Sequence, residues 1–428
     1  MTDTKTLLDR RKASLGGGAP LFYDEPLQIV SGKGVWVEDA EGRRYLDVYN
    51  NVPHVGHCHP HVVDAICRQV GTLNLNTRYL HDYVVSYAER LARTVDFAPA
   101  AAMFTCTGTE ANELALRMAR FVTGKQGIIV SSFSYHGNSQ LLASVTMAFS
   151  VPEPFPDYAR AVSVPDPFLD GANRSPEVLA RDYANKVAEA VASLEASGHG
   201  VAALLFDASF ANEGLPRLVP HYLRQAVGHV RAAGGLFIAD EVQGGFGRTG
   251  KTLWAHQAHG VVADFVTMGK PMGNGHPIAG VIAPLAIVEA FENAATYFNT
   301  FGGNPVSAAA GMAVLDVIER ENLIDNARKL GAYVEQGLLA LQERHSVIGD
   351  VRTRGMFFGL NLVEDRATKA PATHLTKRLV NRMKDLGVLI GRIGPHDNIL
   401  KMRPSMVFQK DHADILLDTL DRAFTGVQ

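Results

Sequence analysis

Between positions 236 and 270, two short apolar runs each end on an ionisable side chain and then a turn. Leu236-Phe237-Ile238-Ala239 ends on Asp240-Glu241 and a glycine-loaded loop, Gln243-Gly244-Gly245-Phe246-Gly247-Arg248-Thr249-Gly250. Residues 261–268, interrupted only by Asp264 and Thr267, deliver Gly269-Lys270-Pro271. Each run reads as a short buried strand. In open α/β sheets ligands bind beyond the carboxyl ends of the strands. An acid and an amine are therefore expected at the same edge of one sheet.

That pair suits pyridoxal 5'-phosphate, which needs a lysine for a Schiff base and a carboxylate against its ring nitrogen. Asp240 and Lys270 fit the two jobs. Taken singly, each also reads as a strand-end aspartate capping a turn and a surface lysine. The intervening "GFGRTGKT", residues 245–252, matches the dinucleotide and P-loop patterns. Either would need a strand running straight into the loop and a helix at its end. Here residues 241–244 intervene, and "LWAHQAHG" beyond the loop is too short for a crossover helix, which speaks against a nucleotide site.

The 428 residues suffice for one large and one small domain. With 41 basic and 44 acidic side chains, a formal net charge of -3 leaves no footprint for nucleic acid or an anionic membrane. Residues 1–12 are polar, without the apolar core of a secretory signal, and no uncharged stretch is long enough to span a bilayer. Cys58, Cys67 and Cys106 are odd in number and lack metal-ligand spacing. They read as reduced thiols of a cytoplasmic protein.

Residues 34–39 and 43–48 read as a hairpin turning at Glu41-Gly42. His54, His57 and His59 crowd the following loop but have no partner cluster for a metal. Pro60 suits the first turn of a helix to about Val70, followed by the polar loop 74–82, with the cations Arg78 and His81, and a helix over 83–95. Residues 102–105 read as a strand, and Cys106-Thr107-Gly108-Thr109-Glu110 opens a helix to about Phe121. Gly108 and Thr109 at that helix start read equally as a phosphate site and as a helix cap with Thr107 or Thr109 at the N-cap. A strand at 127–132 precedes Tyr135; residues 151–176 read as a long surface loop; a helix occupies 183–196; and a buried strand, 201–206, ends at Asp207. Alternating strands and helices predict an α/β fold with a mainly parallel sheet. A long helix from Asn304-Pro305 leads to a smaller α+β region from Ile348 on.

"IADEVQGGFGRTG" with "TMGKPMGNGHP" resembles the class III (omega) aminotransferase family of fold type I PLP enzymes, and the likeness runs over nearly the whole chain. The resemblance implies a large PLP-binding domain over 56–308, a small domain over 309–428 and an N-terminal segment, 1–55, that joins the small domain. It implies that Lys270 carries the cofactor, Asp240 pairs with its ring nitrogen, Tyr135 and Val242 pack on its ring, and Gln243 lies near its ring hydroxyl. Asp207 belongs to the same cofactor set. Gly108 and Thr109 would grip the cofactor phosphate, and Thr300 would reach the phosphate of a neighbouring subunit, implying a homodimer.

Two departures matter. Lys401 stands where the family carries a carboxylate-binding arginine, with Arg403 two residues on; Asn212 stands where some members carry a switching glutamate. "NNVPHVGHCHP", "RYLHD", "FNTFGGNPVS" and "DNILKMRP" resemble the ethanolamine-phosphate and phosphohydroxylysine phospho-lyase branch. That likeness implies elimination of phosphate from O-phosphoethanolamine, giving acetaldehyde and ammonia, with Asn51, Arg78, His81 and Lys401 as candidates to bind the substrate phosphate. The alternatives are a class III amine:oxo-acid aminotransferase and a non-catalytic PLP-binding regulator. The latter would want a fused helix-turn-helix and a basic face, for which the short N-terminus and near-neutral charge leave little room.

Overall fold

The computed structural model describes residues 3–426. Its centre is a seven-stranded sheet in the order Ala100–Thr105, Ala279–Pro284, Phe265–Met268, Leu236–Asp240, Val201–Phe206, Gly127–Ser131, Ala159–Val162. The last five run parallel. Ala279–Pro284 is antiparallel to both of its neighbours, so the sheet is mainly parallel, as expected.

The strands are mostly apolar, because both faces of the sheet are covered. Successive side chains point to opposite faces, and the burial sorts accordingly into two cores. Ile128, Val130, Ala203, Leu205 and Ile238 join the helix Gly108–Thr123 on one face. Ile129, Leu204, Phe206, Phe237 and Ala239 join the helices Pro176–Ala196 and Tyr222–Ala232 on the other.

Two smaller sheets flank it. Ile29–Lys33, Trp36–Asp39 and Arg44–Asp47 form an antiparallel meander, and Val388–Leu389 adds to it in parallel through Leu46 and Val388. The amino-terminal segment and a late piece of chain thus share one sheet. Ile348–Arg354, Phe357–Leu362, Ile399–Met402 and Gly391–Ile393 form the third, all antiparallel.

Two local expectations are corrected, and one helix is added. Residues 151–176 are not one loop: Ala159–Val162 is an edge strand beside Gly127–Ser131, and Pro167–Asp170 is a helical turn. The strand expected over 261–268 begins only at Phe265, because the Asp264 carboxylate accepts the Phe237 amide at 2.8 Å and turns the chain first. Residues 323–344, unread above, form a 22-residue helix.

Candidate active site

The Leu236–Asp240 and Phe265–Met268 strands run side by side, with Asp240 opposite Thr267. Asp240 and Lys270 therefore emerge at one sheet edge. Val201–Phe206 flanks them on the other side and brings Asp207 to the same edge. A cavity of about 200 Å3 lies there, bordered by Gly108, Thr109, Tyr135, Asp207, Asp240, Val242, Gln243 and Lys270, together with Asn112 and His136. Eight of the residues expected from sequence thus meet in one place.

Asp240 is almost fully buried. Its Oδ2 accepts His136 Nδ1 at 2.7 Å and Asn112 Nδ2 at 2.9 Å, and its Oδ1 accepts the Val242 amide at 3.0 Å. Burial pushes its carboxyl pKa up; the hydrogen bond and charge of His136, with the two amide donors, outweigh this and hold it below the ordinary value. Asp240 is therefore a carboxylate at neutral pH. Lys270 keeps solvent contact at the cavity mouth, and its ammonium is weakened by desolvation first and then by the positive charge of Arg403, against the pull of Asp240 and Asp207.

Asp207 behaves oppositely. Burial first, then the charges of Glu213 and Asp240, raise it to about 7. Its oxygens accept the amides of Ser209 at 2.8 Å and Ala211 at 3.1 Å, which fixes the turn beyond its strand.

At the start of the Gly108–Thr123 helix the capping reading is the one observed. Thr107 caps the helix and closes a capping box with Glu110. The first-turn amides of Gly108 and Thr109 lack intrahelical acceptors and stand at the positive end of the helix, where both residues border the cavity. A Cβ on Gly108 would lie 2.9 Å from Val242 Cγ2, so only glycine lets this turn approach the cavity wall. Tyr135 lines the cavity with its ring edge-to-face on Phe149.

Gln243 is clamped. Its Nε2 donates to Asn212 Oδ1 at 3.2 Å, while its Oε1 accepts Arg403 Nη1 at 2.5 Å and Lys401 Nζ at 3.3 Å. Lys401 also donates to the Ala211 carbonyl at 2.8 Å and is buried behind Gln243 rather than lining the cavity. Burial, then Arg403, pulls its ammonium well below the ordinary lysine value. Arg403 donates to the Tyr49 carbonyl at 2.8 Å and stacks over the Tyr49 ring.

The other expected residues stay outside the cavity within one chain. Thr300 and Arg78 are exposed, and Arg78 lies 4.0 Å over the Phe298 ring, on the loop that carries Thr300. His81 stacks on Tyr83 and contacts Gln69. Asn51 is buried, with its Nδ2 unpartnered among the described residues.

His136 and Asn112 went unread in the sequence. Asn112 lies four residues after Gly108, hence on the same helix face; His136 simply follows Tyr135. Among the described residues no His/Cys/Asp/Glu group could hold a metal, and His54, His57 and His59 bond to the Phe246 carbonyl, Asp47 and Glu321. No helix follows the glycine loop directly; residues 255–259 form only a 3-10 turn.

The donor set fits pyridoxal 5'-phosphate on chemistry alone: a buried carboxylate kept ionised, an amine of weakened proton affinity at the same edge, and a helix start with no room for a Cβ.

Residues 23–424 match the family described as Aminotransferase class-III. The chain is 40% identical to "Alanine--glyoxylate aminotransferase 2 homolog 2, mitochondrial" of Arabidopsis thaliana, over 97% of this chain and 86% of the relative. It is 36% identical to "Ethanolamine-phosphate phospho-lyase homolog 1" of Caenorhabditis elegans, over 98% and 93%. Among solved structures, a phospholyase from Arthrobacter in complex with phosphoethanolamine superposes with a TM-score of 0.95 at 49% identity, covering 98% of this chain and 99% of that one.

Proposed function

Because the chain belongs to the class III aminotransferases, PLP-dependent enzymes of fold type I, we propose that within this family it is a phospho-lyase that eliminates phosphate from O-phosphoethanolamine. One observation carries this reading. Lys401 and Arg403 converge on Gln243 beside the cavity, and neither forms an ion pair among the described residues. The Arg403 charge, without an ion-pair partner beside Lys270, suits a second anionic group. The phosphoethanolamine complex of the Arthrobacter relative supports it.

When bound, the cofactor supplies an electron sink conjugated to the substrate amine. Lys270 would hold it, Asp240 would keep its ring nitrogen protonated, Tyr135 and Val242 would pack on the ring, and the Gly108–Thr109 amides would take its phosphate. The Lys270 amine, when not holding the cofactor, would be the base that removes a proton from the amine-bearing carbon of the substrate. The neighbouring C–O bond breaks, and Arg403 stabilises charge as it builds on the departing phosphate. Addition of water then yields acetaldehyde and ammonia.

The Arabidopsis relative's name favours a second reading, amine transfer to an oxo acid. Asn212 weighs against it, since a neutral amide holds Gln243 where a switching glutamate would stand. Incubation of the cofactor-loaded protein with O-phosphoethanolamine alone separates the two. Elimination releases phosphate and acetaldehyde in equal amounts; transfer releases no phosphate and requires an oxo acid.

A homodimer is part of the proposal. Leu80 is 99% exposed, Phe301 70% and Tyr79 68% on the isolated chain, an apolar surface that a second copy would cover. In our reading that copy brings Thr300, Arg78 and His81 to its partner's cavity. Sedimentation at the mass of one chain would remove this part. Three unpaired thiols and the lack of any membrane-spanning helix among the described residues accord with the cytoplasm. The mitochondrial name of the Arabidopsis relative makes subcellular fractionation the check.

A further inference from the structure

A second cavity, of about 330 Å3, opens between residues 215–218, the turn 249–251, the helix Leu323–Arg344 and the turn 353–355. That volume falls at the lower end for small-molecule sites. Its charge is one-sided. Arg217, Lys251, Arg328, Arg352 and Arg354 border it, against the single carboxylate of Glu335.

Not all of these charges are free. Arg352 is buried and spent on Asp350 and Asp166, at 3.0 and 2.8 Å. Arg328 pairs with Asp325, and Arg217 lies 3.4 Å from Asp350. Two cations remain. Lys251 is exposed and in no ion pair among the described residues. Arg354 meets only carbonyls, Ser209 at 2.8 Å and Pro216 at 3.0 Å. A third group points the same way: Thr249, only 4% exposed, has a hydroxyl with no partner among the described residues. A buried hydroxyl without a partner is costly, and a ligand oxygen would satisfy it.

We propose that this cavity binds a small phosphate-bearing anion, held by Lys251 and Arg354 with the Thr249 hydroxyl as a neutral donor, and with Arg217, which it would share with Asp350, adding charge at the exposed rim. The site is separate from the cavity at Lys270 yet linked to it. Arg354 donates to the Ser209 carbonyl, and the Ser209 amide donates to Asp207 at the wall of the first cavity. Thr249 and Lys251 belong to the glycine loop that imitates a P-loop; here side chains, not a backbone cradle at a helix start, would hold the anion.

Calorimetric titration of the cofactor-loaded protein at constant ionic strength tests this, with inorganic phosphate in one arm and glycerol 3-phosphate in the other. Lys251→Gln and Arg217→Gln are compared singly and together. Both side chains are exposed, so the variants should fold, and an unchanged melting temperature verifies it. We expect one anion at this cavity, apart from any held beside Lys270, with affinity falling about tenfold for each charge removed. An Arg403→Gln variant should keep the binding component that Lys251→Gln weakens, whether or not it keeps turnover, which separates this site from the substrate phosphate site. Tighter binding of the ester would identify an organic phosphate as the ligand, and equal binding the free anion. Equal affinity of the wild type and the double variant in both arms, or no heat beyond that of a chloride control, would overturn the proposal.

Discussion

His136 Nδ1 lies 2.7 Å from Asp240 Oδ2, and both side chains are nearly sealed from solvent. The pair joins the end of one strand to the loop beyond another, 104 residues away. His136 thereby supplies most of what keeps a buried aspartate charged. Replacing it with phenylalanine keeps the bulk and removes that donor. The Asp240 pKa should then rise, and activity at neutral pH should fall about tenfold to a hundredfold, as when a supporting hydrogen bond is lost behind a functional group. Asp240→Asn should cost at least as much while leaving the fold intact. Near-normal turnover in both variants would refute the role given to Asp240.

Asp207 makes the opposite pH statement. Its folded-state pKa is raised to about 7, so between about pH 4 and 7 the folded chain holds a proton that the unfolded chain has lost. Stability from this group is fully present below the unfolded pKa and is lost as pH rises through the folded one. The slope reaches at most about 1.4 kcal/mol per pH unit. Denaturant melts of cofactor-free protein at pH 5 and pH 8 should show the decline, and Asp207→Asn should flatten it. An identical pH dependence in the variant would contradict this assignment.

The reach of sequence reasoning follows the range of the interactions. The Pro60–Val70 helix has the bounds read from Pro60 at its first turn to about Val70, because that signal is local. The Asp240 and Lys270 edge was legible because two buried strands each announce their own end. Leu323–Arg344 was not, since Asn322 enters it in a left-handed conformation without a capping hydrogen bond. Ala159–Val162 hides among prolines as a short edge strand. The clamp on Gln243 could not be read at all. Asn212 stands 31 residues away in the chain and Lys401 and Arg403 stand 158 and 160, and only folding brings them together.

Lys270→Ala should abolish turnover and covalent capture of the cofactor. Its amine stands at the cavity mouth, and desolvation together with Arg403 weakens its hold on a proton, which favours the nucleophilic form near neutrality. Borohydride reduction followed by peptide mass mapping gives the check. A cofactor adduct in the reduced variant would assign the attachment to another lysine.

Gly108→Ala separates packing from helix propensity. Alanine is the better helix former by up to about 1 kcal/mol, yet its Cβ would meet Val242 at 2.9 Å. Valine is stiff at χ1 and cannot swing away. The helix start or the cavity wall must shift, at a cost of about 1–3 kcal/mol. Cofactor affinity, followed by fluorescence on titrating the cofactor-free variant, should fall about tenfold or more. Unchanged affinity would show that this turn does not grip the cofactor.

Lys401 and Arg403 should differ in what they contribute, although both reach Gln243 Oε1. Burial, with Arg403 adding to it, pulls the Lys401 ammonium well below its ordinary value. A lysine so placed donates a hydrogen bond to Ala211 more than it offers a charge. Arg403 is lowered by burial too, but nearby Tyr49 and Asp47 counter this, and guanidinium stays protonated in proteins. Arg403 is therefore expected to be the cation that the leaving phosphate feels. Arg403→Met should raise KM and slow elimination together, lowering kcat/KM for O-phosphoethanolamine about a hundredfold or more, since the charge acts on a group that becomes more negative as it departs. Lys401→Met should cost stability, about 1–3 kcal/mol for leaving the Ala211 carbonyl unpaired, with a smaller effect on kcat. Steady-state kinetics beside urea melts of both variants decide the matter. A larger kinetic loss at Lys401 than at Arg403 would return the phosphate contact to Lys401.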